Sequence, residues 1–443
     1  MKRCTHRHVT TECSSAAEEV GFMRPPLDKR LAATTASGRR TAEKLATHKD
    51  AMSNGWSFPG PLVLPDDDLA LDPKYPPQSL KSWLTYNKKM PISTERNAIY
   101  VVSPPEITEG VREMLQGWEK PRVPRDFVMS GLPDLIPQPT TDDVCAYLRA
   151  FYHKMEIKRH DGKFRWQAWD SNSSNGPKYI GLATPKPTEE LIGVRYRPSP
   201  DGIARMQVNL NDVLDALIDR VPSNAYAIVM LTDQDLYEDD DDDFCCGRAY
   251  GESRIAVVSS FRYSPTLDGY ANIDLEHMWP VSHCKSYVDE QCGQQPGRAK
   301  TTPPPPDSPI SAAIKACNAV PKPKTRDELA GLWFSRVSRT MAHELGHCLG
   351  MDHCVYYACT MQGTAGMAED VRQPPYLCPV CLSKLSRGMA SFVGQGVVVD
   401  RQREYIEQRY NALRGFCENW SHVGMFAGYQ AWIERRLEEN KEE

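Results

Sequence analysis

Within the run His343-Glu-Leu-Gly-His347-Cys-Leu-Gly350-Met-Asp-His353, five residues have the types and spacing to do chemistry on a metal. Histidines four apart lie one turn apart on one face of a helix, so both imidazoles can reach a single cation. Gly350 permits the left-handed backbone that ends such a helix sharply. The returning chain can then bring His353 in as a third nitrogen ligand. Three protein ligands leave one tetrahedral position open, the pattern of a catalytic rather than a structural zinc. Glu344, beside the first histidine, is placed to take a proton from water at that position.

Cysteines follow directly. Cys354 adjoins the third histidine, Cys359 comes after a four-residue gap, and Cys378-Pro-Val-Cys381 forms a two-residue knuckle. Four thiolates in two close pairs suit a closed structural zinc with no position left for reaction. Paired disulfides are the alternative, disfavoured because such pairs more often clip metals in an intracellular chain. Met361, two residues beyond Cys359, can be core filler like most methionines.

HELGHCLGMDHC, then CTM, then CPVC together resemble the archaemetzincin family of zinc metallopeptidases, in the metzincin clan. More distant agreement comes from Thr232-Asp-Gln-Asp-Leu-Tyr237, Phe244 to Gly247, Arg254-Ile-Ala-Val-Val-Ser259, Pro77 to Trp83 and Arg96 to Tyr100. The resemblance covers most of the chain from about residue 75. It implies His343, His347 and His353 as catalytic zinc ligands with Glu344 as general base. It also implies Cys354, Cys359, Cys378 and Cys381 as ligands of a second zinc, and Met361 as the methionine turn that floors the site. Two departures stand out. Sixteen residues separate Met361 from Cys378, one fewer than the family spacing, within a Gly- and Pro-containing loop that can absorb the loss. A long insertion also precedes the active-site helix, which bears on the shape of the substrate cleft.

The elements that must position these residues are partly readable. The active-site helix is expected to start near Arg326, with Asp327 and Glu328 favourable in its first turn. Leu329, Leu332, Trp333, Val337, Met341, Leu345 and Cys348 trace its core stripe, leaving His343 and His347 on the opposite side. Cys348 reads as core rather than as an inhibitory ligand. Strands are expected over Asn97–Ser103, Ile192–Tyr196, Ala227–Thr232 and Ile255–Phe261, the last two as sheet neighbours. Helices are expected over Val111–Trp118, Val144–Ile157 and Leu210–Val221, the last capped by Asn209. Further helices are expected from Leu382, over Arg401–Leu413 and over Tyr429–Asn440, the last two on the outside. Alternating strands and helices ahead of a metal-bearing helix imply an α/β fold. The whole reads as a metzincin-like catalytic domain, a mixed sheet with a backing helix and the active-site helix, plus a Cys4 zinc-stapled C-terminal subdomain.

Residues 1–74 show no sustained period and read as a disordered extension, leaving 75–443 as the catalytic domain. Inside it lie a Pro-rich insertion at 264–324, read as a mobile cleft-side flap, the structural zinc segment 354–381 and C-terminal helices at 400–443. The acidic run Glu238–Asp243 lacks the spaced oxygens and glycine turn of a calcium loop and reads as solvated. His277, His283, Cys284 and Cys292 match no metal-clip spacing and are not read as a third site.

A net charge of −5 gives no sign of nucleic-acid or membrane-surface binding. No apolar run approaches a membrane span, and the N-terminal residues lack the apolar core of a secretion signal. The expectation is a cytoplasmic or nuclear monomer with no nucleic-acid or membrane partner. Two zinc ions per chain are expected, one catalytic and one structural. The expected activity is hydrolysis of peptide bonds in a peptide or protein substrate, by a metal-bound water that Glu344 activates. A non-catalytic zinc-stapled scaffold, or a zinc hydrolase of a non-peptide amide, fits the same ligands. The retained Glu344 counts against the scaffold. No residue can be assigned to oxyanion stabilisation, since Tyr356 and Tyr357 lie inside the cysteine loop.

Overall fold

The computed structural model describes residues 6–39, 55–88, 90–170, 176–186, 189–294, 303–392 and 397–442. The chain divides into two units. One is Ile92–Ala271 with Lys324–Gly350; the other joins Met1–Pro91, Asn272–Pro323 and Met351–Glu443.

The first of these carries the strands. In chain order they are β1 (Ala98–Val102), β2 (Glu106–Ile107), β3 (Glu156–Arg159), β4 (Arg165–Gln167), β5 (Lys178–Ala183), β6 (Leu191–Arg197), β7 (Gln207–Asn209), β8 (Ala225–Thr232), β9 (Asp235–Tyr237), β10 (Gly247–Tyr250) and β11 (Ile255–Ser259). A five-stranded sheet has the order β10-β11-β8-β1-β3, parallel except for the antiparallel edge pair β10–β11. β8 is buried at every residue, which is why it reads as an unbroken apolar run rather than an alternation. The helix Leu210–Ile218 packs on β11 and buries Leu210, Val213, Leu214 and Leu217 with Ile228, Met230, Ile255 and Val257. As expected, the Asn209 side chain caps it, accepting from Asp212 N–H. A second sheet, β2-β4-β5-β6-β7-β9, was mostly invisible in the sequence. Only β5 and β6 exceed three residues, and of these β6 alone was expected; β2, β4, β7 and β9 are two or three residues each.

The helix expected over Val144–Ile157 is instead Thr141–Phe151, and Ile157 lies in β3 opposite Ile99. Its apolar spacing is helical as far as Tyr152, but Lys154 adopts a left-handed φ of 75° that turns the chain into the strand. The helix expected over Val111–Trp118 shortens to a 3-10 turn and Arg112–Leu115, stopped before Gly117.

The other unit corrects three expectations. Within 1–74, the described residues are folded, with helices Ser15–Glu19, Leu27–Ala33 and Asp68–Leu71. Phe22, Leu31, Phe58, Leu62, Val63 and Leu64 are buried. The stretch 57–64 runs irregularly through the interior, so it leaves no period to detect; residues 1–5 and 40–54 lie outside the described residues. The insertion is not a loose flap where it is described. It contains helices Lys285–Gln291 and Pro309–Ala319 and buries Trp279, Val281 and Ile310. Its Gly297–Thr302 segment is outside the described residues.

Finally, the C-terminal helices Val398–Asn419 and Gly424–Glu442 are seated more deeply than expected, burying a broad face while Glu404, Glu407, Asn411 and Glu418 stay exposed. Trp432 is fully buried, stacked on Tyr376 at 4.5 Å, and its indole N–H donates to Ser57 O at 3.1 Å. Their many charges sit around buried Tyr410, Leu413, Tyr429 and Ile433, a wider apolar face than the charge content suggested.

Candidate metal centre

The active-site helix runs Arg326–Cys348 and starts where the sequence placed it. A capping box that the reading missed fixes that start. The Thr325 hydroxyl accepts from Glu328 N–H at 3.3 Å, and the Glu328 carboxylate accepts from Thr325 N–H at 2.9 Å. Thr-x-x-Glu was present as a signal.

The helix is gripped along its length. Trp333 Nε1 donates to Ser260 O at 2.7 Å, and Arg336 forms a buried bidentate pair with Asp268 at 2.7 and 3.0 Å. Tyr263 and Thr340 share a 2.7 Å hydroxyl bond, and the Tyr152 hydroxyl donates to Ala342 O at 2.5 Å. The predicted stripe is buried, including Cys348, but so are Ser338, Arg339 and Glu344 on other faces. The helix is therefore held from nearly all sides, not from its back alone. After Cys348 the chain turns at Gly350, which has a φ of 75° and donates its N–H to His347 O at 2.8 Å.

Through this local turn, His343, His347 and His353 gather, each with a ring nitrogen within 4.8 Å of the others. The His343 and His347 Nε2 atoms are 3.0 Å apart. Tetrahedral zinc with bonds of about 2.0–2.1 Å separates two nitrogen ligands by roughly 3.3 Å, so the pair is already near chelating separation. Three converging imidazoles offer neutral nitrogen donors, the chemistry zinc favours. Burial lowers the pKa of His353, against the pull of Asp68 and Asp352, which keeps the ring a neutral donor.

Glu344, next to His343 in the chain, is buried. Burial pushes its carboxyl up to about 8, while Arg248 on β10 and Arg339 one helical turn back pull it down. A proton acceptor with a pKa near the working pH is suited to take and return a proton within one turnover.

Cys354, Cys359, Cys378 and Cys381 form the other cluster, all buried and all unbridged, with Cys354 and Cys378 sulfurs 3.5 Å apart. That separation is well beyond an S–S bond of about 2.05 Å and suits four sulfurs around one ion. The knuckle points backbone donors at sulfur: Cys378 N–H to Cys359 and Cys381 N–H to Cys378. Burial pushes the Cys359 and Cys378 thiols well above their usual range. At Cys354 burial acts the same way, but hydrogen bonds from the other three sulfurs outweigh it and hold the thiol well below. A buried set of this kind sheds all its protons only to a cation.

Met361 is fully buried, and its carbonyl accepts from Cys354 N–H at 2.7 Å, which holds it next to the third histidine's neighbour. Tyr356 and Tyr357 pack inside the loop: the Tyr356 carbonyl accepts from Arg24, and Tyr357 lies under the Arg24 and Arg30 guanidiniums. Among the described residues no third cluster forms. His277 stacks on Tyr287, and His283 donates to Gly60 O.

Sequence reasoning missed the residues around the 352–353 turn. Gln78 bonds Asp352 through both its amide atoms, Lys384 donates to Gln78, and the Tyr75 ring lies 5.5 Å from that of His353. Asp66-Asp67-Asp68 was the one available signal, and it sat in a stretch without period.

Residues 322–387, which hold the histidine motif and all four cysteines, match peptidase family M54. Mouse archaemetzincin-2 is 28% identical over 208 residues, covering 47% of this chain and 46% of that protein. This chain is similar to the archaemetzincins and carries the M54 peptidase segment. Human archaemetzincin-2 is 29% identical over 180 residues, 41% of each chain. The chain thus spans about half the length of the curated family members it matches. The crystal structure of the archaemetzincin from Methanopyrus kandleri aligns over 67% of this chain and 97% of its own, at 16% identity and a TM-score of 0.31. No helix among the described residues of this chain is long and apolar enough to cross a membrane.

Proposed function

We propose that this chain is a zinc-dependent peptidase of the archaemetzincin type. In this reading His343, His347 and His353 hold the catalytic ion, and Cys354, Cys359, Cys378 and Cys381 hold a second, structural one. The observation that carries the proposal is the convergence of three imidazoles, with the buried Glu344 adjoining His343 in the chain. Zinc held by the three histidines would supply a Lewis acid that polarises the scissile carbonyl and acidifies water. Glu344 takes the proton of the attacking water and delivers it to the departing amine. Arg248 and Arg339 stabilise the ionised carboxylate that the first step requires. The grip of Ser260, Asp268, Tyr263 and Tyr152 on the helix keeps Glu344 from drifting, which matters because small misplacements cost large factors in rate. Met361, anchored through Cys354 N–H, serves as the methionine turn.

The test is mass-spectrometric profiling of a diverse peptide pool, with zinc-loaded wild type beside Glu344→Ala. Cleavages present only with wild type establish the peptidase and show whether residues leave singly from the N-terminus. Identical pools, with zinc confirmed at the histidines, would overturn peptide hydrolysis and return the non-catalytic scaffold or a non-peptide amide substrate.

A further inference from the structure

The third histidine is the ligand least fixed by the active-site helix, because it follows the turn at Gly350. What surrounds it comes from the N-terminal part of the same unit. A methyl group on Gly363 would meet His353 Nδ1 at 2.7 Å and Asp68 Oδ2 closer still, so only a glycine lets these two groups flank that backbone position. Asp68 is itself clamped. Its N–H donates to Glu369 Oε2 at 2.8 Å, and the same oxygen accepts from Ala365 N–H at 2.8 Å. The neighbouring Asp67 pairs with buried Arg372 and accepts from Leu64 N–H at 2.8 Å. On another side, the Tyr75 ring covers the imidazole, tilted by 33°.

From this geometry we propose that Asp68 is a positioning residue of the metal site, accepting a hydrogen bond from His353 Nδ1–H. That bond selects the tautomer whose Nε2 is the donor to the cation and fixes the plane of the ring. Carboxylates that hold a ligating histidine in this way also make it a stronger donor. The segment Leu64–Gln78 is then part of the metal centre, held to it by Glu369 and Arg372 from the loop between Met361 and Cys378. The inference rests on the three histidines binding the catalytic ion.

The experiment is zinc affinity by chelator competition, with cobalt substitution to read the histidine site spectroscopically, on wild type, Asp68→Ala, Asp68→Asn and His353→Ala. Wild type should bind two ions, and His353→Ala should lose the histidine-site ion. Asp68→Ala should weaken that ion by about 10–100-fold and shift its cobalt d–d bands, with the cysteine-site ion retained. Asp68→Asn, which keeps an acceptor without the charge, should recover part of the affinity. Wild-type affinity and spectrum in Asp68→Ala would overturn the role of Asp68 and leave the site reading intact. No histidine-site ion in wild type would overturn both. Should Asp68→Ala lose both ions through misfolding, Asp68→Asn decides: a selective loss at the histidines supports the proposal, and wild-type behaviour sinks it.

Discussion

In the proposed mechanism Glu344 must be buried in a site that excludes bulk water, yet ionised when the water attacks. Its burial alone would keep it protonated at neutral pH, since the carboxyl rises to about 8 against the opposing charges of Arg248 and Arg339. Divalent charge at the neighbouring histidines moves the balance toward the carboxylate. Replacing Glu344 by Gln keeps size and polarity but removes the proton acceptor. We expect kcat/KM for a peptide substrate to fall by about 10²–10⁴-fold while zinc content stays at the wild-type level. Equal turnover in the variant would mean that another group takes the proton. The histidine cluster was legible because its members lie within eleven positions of one another, where helical geometry converts spacing directly into distance. Asp68 was not legible. It reaches His353 across nearly three hundred residues of chain, and nothing local to Asp66-Asp67-Asp68 says what it will face.

At the scale of elements, the long helix and the cysteine knuckle differ in what holds them. The helix depends on tertiary grips and on its capping box, whose two bonds satisfy backbone donors that the first turn otherwise leaves open. Thr325→Ala removes the side-chain acceptor and should cost about 1 kcal/mol, seen as a lower urea midpoint with an unchanged m-value. An unchanged midpoint would show that the grips farther along already fix the helix start. In the proposed reading the cysteine cluster depends on its ion. Cys378 both faces Cys354 and receives Cys381 N–H, so Cys378→Ser should abolish binding of one zinc per chain and leave the protein largely insoluble. Ion counting on the soluble fraction checks this; two zincs in a well-folded variant would remove the structural role. Element boundaries followed the same division between local and distant causes. The β8 and β11 strands and the helix after Asn209 were readable because burial on one or both faces imposes a run or a period. The break at Lys154 and the short strands of the second sheet were not, because their backbone follows from partners rather than from composition.

The whole molecule is organised against chain order: one unit is assembled from Met1–Pro91, Asn272–Pro323 and Met351–Glu443. Its pieces cohere only if contacts between them outweigh the entropy of bringing together segments far apart in sequence. His283 is one such contact, fully buried, with Nε2 donating to Gly60 O at 2.9 Å across 223 residues and Nδ1 3.2 Å from the Ser282 hydroxyl. Burial lowers its pKa from 6.5 to about 4, and the positive charges of Arg24 and Arg372 push the same way against the bond to Gly60. The folded ring therefore stays neutral in a range where the unfolded chain is protonated. Above pH 6.5 both states hold the same number of protons and the contribution is fully present. As the pH falls from 6.5 toward 4, only the unfolded state gains a proton, and stability is lost by up to about 3 kcal/mol. His283→Gln retains a donor for Gly60 but cannot titrate. Urea denaturation at a series of pH values between 7.5 and 5 should show wild type losing stability more steeply than His283→Gln, even if the variant is weaker at neutral pH. Acid release of zinc affects both proteins and cancels in the difference between the two slopes. Parallel curves would mean that His283 is solvated or protonated in the folded chain, and that the junction with Gly60 opens before the unit unfolds.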